Sequence, residues 1–548
     1  MARLAAAVDR DRLVRLSPLA VGLVALLAVI YFDFGPPLPF NDDWGYAWEA
    51  QHTGLDGIQR LPLAQATAFV QAVWGQLATV GHPQEPYLRL SILAFVLLAA
   101  ASSYRLARNL EADRLWSGVA AMALLTTPIY LNLATSFMTD VPYIALMLAA
   151  TEAGVRWLRF GRAHGQFLLW TALATLQRQL GMGLPLALTV CLLLRWRTKR
   201  PSRGDVLWLA GSWLAVIVIV VAPWALGLST PAEEAKLNLL TTLDVDSIAR
   251  GVGFVPPLLG LVLLPFAAGV LFQPRLARAR FRFRPRTLVT LAAIGLGLVG
   301  GYAAVNHLVA GDWYAGRQVF PGNVWSYLGF LGPFGTNKPA LYPDALWLAL
   351  GIVVVSASLV ILVLRARLWG RLSEQPAALF LMTAFAIQVG EVINAFIFDR
   401  YLIAAAALLV PLMAAVASRT TRPRLALGWA LAAGVAGIAL YGVAQQDYEA
   451  WQAARDKAVL FAYRFAPRDQ VYAGFEPSAV YVIIPQFERD GYLDVPTADA
   501  FLTGGPIDGQ IGVFFSGPDD PRPGVPYESV APGKMVVLGP LPANAGSP

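Results

Sequence analysis

One cysteine and four histidines in 548 residues leave little room for several kinds of chemistry. Cys191 lies inside an apolar run and has no second cysteine to meet. That excludes an internal disulfide or a cysteine-based zinc cluster, and a buried small hydrophobe is its simplest role. Charge is scarce as well, at 14% of residues. Phosphate-binding glycine loops, dinucleotide fingerprints and serine-histidine hydrolase motifs are missing from any strand-turn-helix context. No internal repeat or inverted half-symmetry is visible, which weighs against a transporter. Carboxylates nowhere gather in a compact set, so no metal site is assigned. A hard divalent ion would find only the Asp42-Asp43 pair and the distant Asp140. A divalent metal is therefore possible but unsupported, and no cofactor is expected.

Apolar residues dominate what is present. Hydrophobic residues make up 57% of the chain, 16 of them tryptophans, and mean hydropathy is +0.55. One soluble core cannot absorb that much apolar surface, so the chain reads as a polytopic membrane protein. The formal charge of +7 does not imply nucleic acid, because arginines and lysines sit in short segments between apolar runs. At the N-terminus Arg10, Arg12 and Arg15 precede an apolar run to about Tyr31 with no small-residue cleavage site after it, so a retained anchor is expected.

Runs long enough to cross about 30 Å of hydrocarbon predict spans at 14–33, 88–107, 115–132, 140–158, 206–226, 252–273, 288–309, 344–365, 376–397, 402–418 and 425–444. Segment 166–195 is expected to be two short helices, because Gln177-Arg178-Gln179 and then Gly181, Gly183 and Pro185 interrupt it. The total is about thirteen. With that split, the basic clusters 105–114, 156–162, 195–203, 275–286, 365–371 and 419–424 fall on the side of the N-terminus. The positive-inside rule then puts the N-terminus in the cytoplasm and the C-terminus outside. The expected fold is an all-α polytopic membrane bundle over 1–446, followed by a small α/β exported domain over 447–548. A helix from Tyr448 to Phe465 would join them, and Val471 to Ala473, Ile511 to Phe515 and Met535 to Leu538 read as strands.

The first outer loop, 34–87, holds the most informative motif, Asn41-Asp42-Asp43-Trp44-Gly45-Tyr46. Adjacent carboxylates repel one another at a lipid boundary, so a catalytic or ligand-binding role explains them better than a solvated pair. Further along, Leu61, Ala64, Ala68, Ala72 and Gly75, with Trp74 and Leu77, suggest an amphipathic helix on the outer interface. It either walls a cavity or is a plain surface helix. Asp140 precedes Pro142 and suits a helix N-cap, a role compatible with facing a ligand. Arg178, flanked by glutamines with no adjacent acid, is open to an anion, whereas Arg400 in Phe398-Asp399-Arg400-Tyr401 either pairs with Asp399 or meets one. His307, near the outer end of its span, is more simply an interfacial hydrogen-bonding histidine than a phosphate or acceptor contact, and Arg317 and Lys338 read as solvated charges.

This arrangement resembles the GT-C class of membrane glycosyltransferases, and is similar to the lipid A aminoarabinose transferases and the protein O-mannosyltransferases. Their Asp-Glu-x-x-Tyr-Ala pattern falls on Asp42, Asp43 and Tyr46-Ala47, with Asp in place of Glu and Trp44-Gly45 between. The resemblance implies a sugar carried on polyprenyl phosphate and passed to an envelope acceptor, whether lipid, polysaccharide or protein, outside a bacterial cytoplasmic membrane. Outside that membrane no nucleotide-sugar pool exists, which suits a lipid-linked donor. Asp42 is expected as the general base of an inverting transfer, with Asp43 and Asp140 as further catalytic acids. Tyr46, Arg178, His307, Asp399, Arg400 and Tyr401 are expected against the substrate. A transporter or flippase for a lipid-linked substrate, or a non-catalytic envelope scaffold, would be the alternatives.

Overall fold

The computed structural model describes residues 2–33, 40, 42–54, 57, 59–61, 67–82, 84–196, 200–227, 229–230, 245–272, 324–330, 340–372, 375–393, 399–472, 477, 479–490, 511–516, 518–519, 521–522, 524–529 and 532–538. The helices that build the first half are α1 (Ala2–Asp33), α2 (Asp43–Gln51), α3 (Phe69–Ala78), α4 (Glu85–Ser91), α5 (Leu93–Asn109), α6 (Arg114–Leu125), α7 (Pro128–Ala134), α8 (Asp140–Phe160), α9 (His164–Gln177), α10 (Gly183–Trp196) and α11 (Arg203–Ala225). The second half adds α12 (Val245–Leu263), α13 (Ala267–Leu271), α14 (Asp344–Leu372), α15 (Pro376–Ile393), α16 (Asp399–Ala417), α17 (Pro423–Ala462) and α18 (Ile484–Asp490). Among the described residues six helices are long and apolar enough to cross a membrane, and a seventh span arises if the bent pair α6–α7 counts as one. The expected span at 288–309, and His307, Arg317 and Lys338 with it, lie outside the described residues.

Local sequence accounts for the helix ends. Asp113 caps α6 by accepting from the Trp116 N–H at 2.8 Å, and Ser202 and Asp205 form a capping box at the start of α11. Thr126-Thr127-Pro128 breaks the predicted 115–132 span, because proline cannot continue the helix, and the two halves meet at 68°. At this break α17 passes very close: a Cβ on Gly437 would lie 2.1 Å from the Thr126 carbonyl oxygen. Small residues allow such close helix approach in a membrane bundle. On α1 one face, including Leu16, Leu19, Leu23 and Leu27, is exposed and apolar, as lipid contact requires, while Ala25 and Val29 pack inward.

Two helices form the centre. Helix α8 is buried over nearly its whole length, and so is α16 from Asp399 to Ala414. They pack on one another, α8 also against α5 and α9, and α16 against α6 and α15. Both begin with residues singled out from the sequence, Asp140 and Asp399-Arg400-Tyr401.

The chain 423–462 forms a single helix, where the sequence suggested a span to 444 and a separate helix from Tyr448. Nothing in Ala444-Gln445-Gln446-Asp447 breaks a helix. Earlier in the chain β1 (Trp325–Ser326) and β2 (Gly329–Phe330) form an antiparallel hairpin, and beyond α17 lies a four-stranded sheet of β3 (Val471–Tyr472), β4 (Ile511–Ser516), β5 (Gly524–Tyr527) and β6 (Gly533–Leu538), in the spatial order β3-β4-β6-β5. Strand β3 runs parallel to β4, and the other pairings are antiparallel, with Val513 opposite Val537. Three of these strands match the sequence expectation, and β5 was not foreseen. Val471, Ile511, Val513, Val525, Tyr527, Met535 and Val537 join the same apolar core as Tyr448, Trp451 and Ala458 of α17.

Candidate active site

Helix α2 starts immediately at the acidic motif. The Asp43 N–H donates to the Phe40 carbonyl and the Gly45 N–H to that of Asp42, both at 3.1 Å, so the two acids occupy the first turn. Carboxylates are favoured there by the helix dipole. One residue of helix turns the side chains about 100° apart, and they take different partners. Asp42 Oδ2 accepts from Arg400 Nη2 at 2.9 Å. Asp43 Oδ2 lies 3.8 Å from Arg89 Nε and accepts from the Phe137 N–H at 3.4 Å. The side chain of Asp42 is 31% exposed and that of Asp43 2%. Asp42 can therefore reach a substrate, while Asp43 ties α2 to α4 and to the loop before α8.

The chain breaks at Arg178 as the glutamines and glycines suggested. Helix α9 ends at Gln177, Arg178 is extended, and a short 3-10 turn over Gln179–Met182 leads into α10. Gly181 makes this possible, because a Cβ there would come within 2.6 Å of the Thr175 nitrogen. A glutamine knot holds the break in place. Gln177 Nε2 donates to Gln71 Oε1 at 2.9 Å, and Gln177 Oε1 accepts from the Gln71 N–H at 3.1 Å. Gln71 Nε2 donates in turn to the Phe137 carbonyl at 2.6 Å. The expected interfacial helix α3 is thus anchored to the site. Its Ala72 and Gly75 are buried, Trp74 donates to the Ser91 carbonyl at 3.0 Å, and Leu77 and Val80 are exposed.

Arg178 is placed by Asp140 and its neighbour: Nη1 donates to Asp140 Oδ1 at 2.9 Å, and Nε donates to Thr139 Oγ1 at 3.0 Å. Asp140 opens α8 but does not cap it, so its carboxylate faces the cation instead of its own backbone. Tyr401 sits between the two arginines, with the Arg178 guanidinium carbon 4.7 Å and the Arg400 carbon 5.1 Å from its ring centroid. Such stacking stabilises cations by roughly 0.5–2 kcal/mol. Tyr46, one turn along α2 from Asp42, is buried in the same group. Burial, with the nearby Asp42 carboxylate, pushes its phenol far above the ordinary tyrosine range against the pull of Arg178 and Arg400, so it stays a proton donor.

The structure therefore brings together Asp42, Tyr46, Asp140, Arg178, Arg400 and Tyr401 from stretches up to 358 residues apart. Asp399 is engaged elsewhere. Its carboxylate accepts from the N–H groups of Val324 at 2.9 and 3.0 Å and of Trp325 at 2.8 Å, and from Arg400's own N–H at 2.9 Å. This fixes the hairpin Trp325–Phe330 against the start of α16, while the Arg400 guanidinium reaches Asp42 rather than forming the local pair the sequence suggested. Arg89 was missed. An arginine at the mouth of an apolar span has to find a partner, and that cost was the available signal. Among the described residues no group of three or more His, Cys, Asp or Glu is placed to hold a metal.

No protein-family model and no curated protein sequence matches the chain. The chain is similar to the solved structure of ArnT from Cupriavidus metallidurans bound to undecaprenyl phosphate, at 17% identity over 97% of this chain and 99% of that one, with a TM-score of 0.42. The oligosaccharyltransferase of Archaeoglobus fulgidus is similar at 14% identity over 82% of this chain and 58% of that one, with a TM-score of 0.40.

Proposed function

We propose that this protein is an inverting membrane glycosyltransferase that moves a sugar from a polyprenyl-phosphate donor to an envelope acceptor, with Asp42 as general base. The observation that carries this reading is the convergence of the accessible Asp42 carboxylate at the start of α2 with two buried arginines, Arg400 in the first turn of α16 and Arg178 at the break between α9 and α10, where Asp140 at the start of α8 holds it. Helix N-termini and guanidiniums together favour an anion. A leaving phosphate is such an anion, and it needs cations more than a general acid.

In this reading the acceptor hydroxyl attacks the anomeric carbon and passes its proton to Asp42 as the carbon–oxygen bond to the phosphate breaks. The bonding electrons leave with the phosphate oxygen, whose charge is met by Arg178 and Arg400. Attack from the face opposite the leaving group inverts the anomeric centre. Asp140 holds Arg178, Tyr401 keeps the two arginines apart, and Tyr46 offers a hydroxyl donor. Asp43 takes a structural part through Arg89. Helices long and apolar enough to cross a membrane support a donor with a long apolar tail. The arginine clusters of the loops support a cytoplasmic N-terminus, with α2 and residues 447–548 on the exported side.

The test compares envelope glycans and glycolipids by mass spectrometry in cells lacking the gene, complemented with wild type or Asp42→Asn at equal expression. One sugar should vanish, return with wild type, and stay missing with Asp42→Asn. In purified protein the same change should lower the transfer rate about 10²–10⁴-fold without loss of donor binding. Equal restoration by both forms would remove Asp42 as the base, and no sugar lost in the deletion strain would remove the transferase reading.

A further inference from the structure

Helix α2 has a second contact, on the side away from the arginines. Successive residues of a helix are about 100° apart, so Trp44 and Trp48 lie on the face opposite Asp42 and Tyr46. With Leu61 they form a separate small apolar cluster, which Val480, Ile484 and Phe487 cover from the C-terminal part of the chain. Those residues belong to a π-helical turn over Ala479–Ile483 and to α18. The Phe487 and Trp48 rings meet edge to face, 5.4 Å apart. One polar bond fixes the register: Trp48 Nε1 donates to Glu488 Oε1 at 3.0 Å. The His52 ring stacks on Trp48 at 4.0 Å, with Nε2 3.8 Å from the same Glu488 oxygen. Trp48 is 4% exposed and Glu488 is 48% exposed at its side chain, so this bond closes the solvent edge of the cluster.

From this geometry we propose that Glu488 is a positioning residue for the transfer reaction, holding α2 from behind through Trp48 so that Asp42 stays in place against Arg400. The proposal rests on the transferase reading above. Helix α2 has only nine residues and is too short to hold its own position. Its front is fixed by the Asp42–Arg400 pair, one flank by Asp43 and Arg89, and its back by α18. A general base must keep hydrogen-bond reach of the acceptor hydroxyl, so a small roll of α2 lowers the rate of the chemical step more than it weakens donor binding.

Three variants test this in the full-length protein. Glu488→Ala should lower kcat about tenfold, within the range a misplacement of about 1 Å can produce, with KM for the lipid-linked donor nearly unchanged. Glu488→Gln keeps a carbonyl acceptor for the indole and should restore wild-type kcat. Trp48→Phe removes the donor but keeps a ring for Phe487, and should match Glu488→Ala, with the double variant no worse than either single one. Wild-type kcat in Glu488→Ala, an equal loss in Glu488→Gln, or single effects that multiply would each overturn the proposal. The contact is also read without any transfer assay. The sole native thiol, Cys191, is buried, so a short bismaleimide should join His52→Cys to Glu488→Cys and little else. Crosslinking alongside an inactive wild type would count against the transferase reading, and failure to crosslink would count against the clamp.

Discussion

Replacing the two site arginines one at a time should separate stability from chemistry. Both are buried, 6% and 3% exposed at the side chain, and both reach a carboxylate at 2.9 Å, yet their partners differ. Asp140 is 1% exposed, so Arg178→Ala strands a charge that water cannot reach. Breaking a buried pair in this way costs about 3–5 kcal/mol. Asp42 is 31% exposed, so after Arg400→Ala its carboxylate rehydrates. The lost ion pair then costs about 1 kcal/mol or less, apart from the packing lost with the side chain. On the proposed mechanism both variants should lose transfer, because each removes a cation assigned to the leaving phosphate, but Arg178→Ala should unfold at the clearly lower temperature. Adding Asp140→Asn to Arg178→Ala removes the stranded charge and should recover much of that loss without recovering transfer. Tryptophan fluorescence during thermal unfolding in one detergent gives the order, and a radiolabelled lipid-linked sugar gives the activity. Equal destabilisation by the two alanines, or no recovery with Asp140→Asn, would refute the argument from burial.

Two more predictions concern the break in the chain at Arg178. Gly181→Ala places a methyl group 2.6–2.8 Å from backbone atoms of Ala174 and Thr175, where neither side can yield, so the protein should lose its monodisperse peak in size-exclusion chromatography. A well-folded, active Gly181→Ala would show that the turn is not closely packed. Gln177→Ala leaves buried groups of Gln71 without their partners, at about 1–3 kcal/mol, and loosens α3 from the site. Limited proteolysis between His52 and Ala68 should then be faster than in wild type, and an unchanged rate would refute the anchoring role.

What could be read from the sequence divides along the range of the interactions. The break at Arg178 is local: glutamines, glycines and a proline interrupt an apolar run, and a count of arginines by side demands the split. The strands near 471, 511 and 535 are likewise short apolar runs between glycines and prolines, whereas β5 carries Pro526 inside Gly524–Tyr527 and gives no such signal. The bend at Pro128 was available locally but was read as part of one span. Pairings were the hard part. Arg400 has an acid beside it in sequence, and adjacency made Asp399 one of two candidates for its partner, the other being an anionic ligand. In the fold Asp399 satisfies backbone N–H groups of a hairpin 74 and 75 residues away, which frees the guanidinium side to meet Asp42. Similarly, two neighbouring acids read as one functional pair, but a helical turn sends them in different directions. The role of Glu488 was out of reach altogether, since its indole partner lies 440 residues upstream.

Helix α17 has a consequence for anyone who would recombine this protein with a relative. Its 40 residues rise about 60 Å, about twice the thickness of a bilayer's hydrocarbon, and its far half is the floor on which the sheet β3-β4-β6-β5 lies. Tyr481, in the turn that leads into α18, donates to Asp456 of the same rod at 2.8 Å, so the rod also sets where Glu488 meets α2. A splice near residue 447 therefore cuts a rigid rod, not a hinge. Each residue gained or lost there turns everything beyond it by about 100° and shifts it by about 1.5 Å, so only exchanges that preserve helical phase would carry the sheet and α18 back over α2.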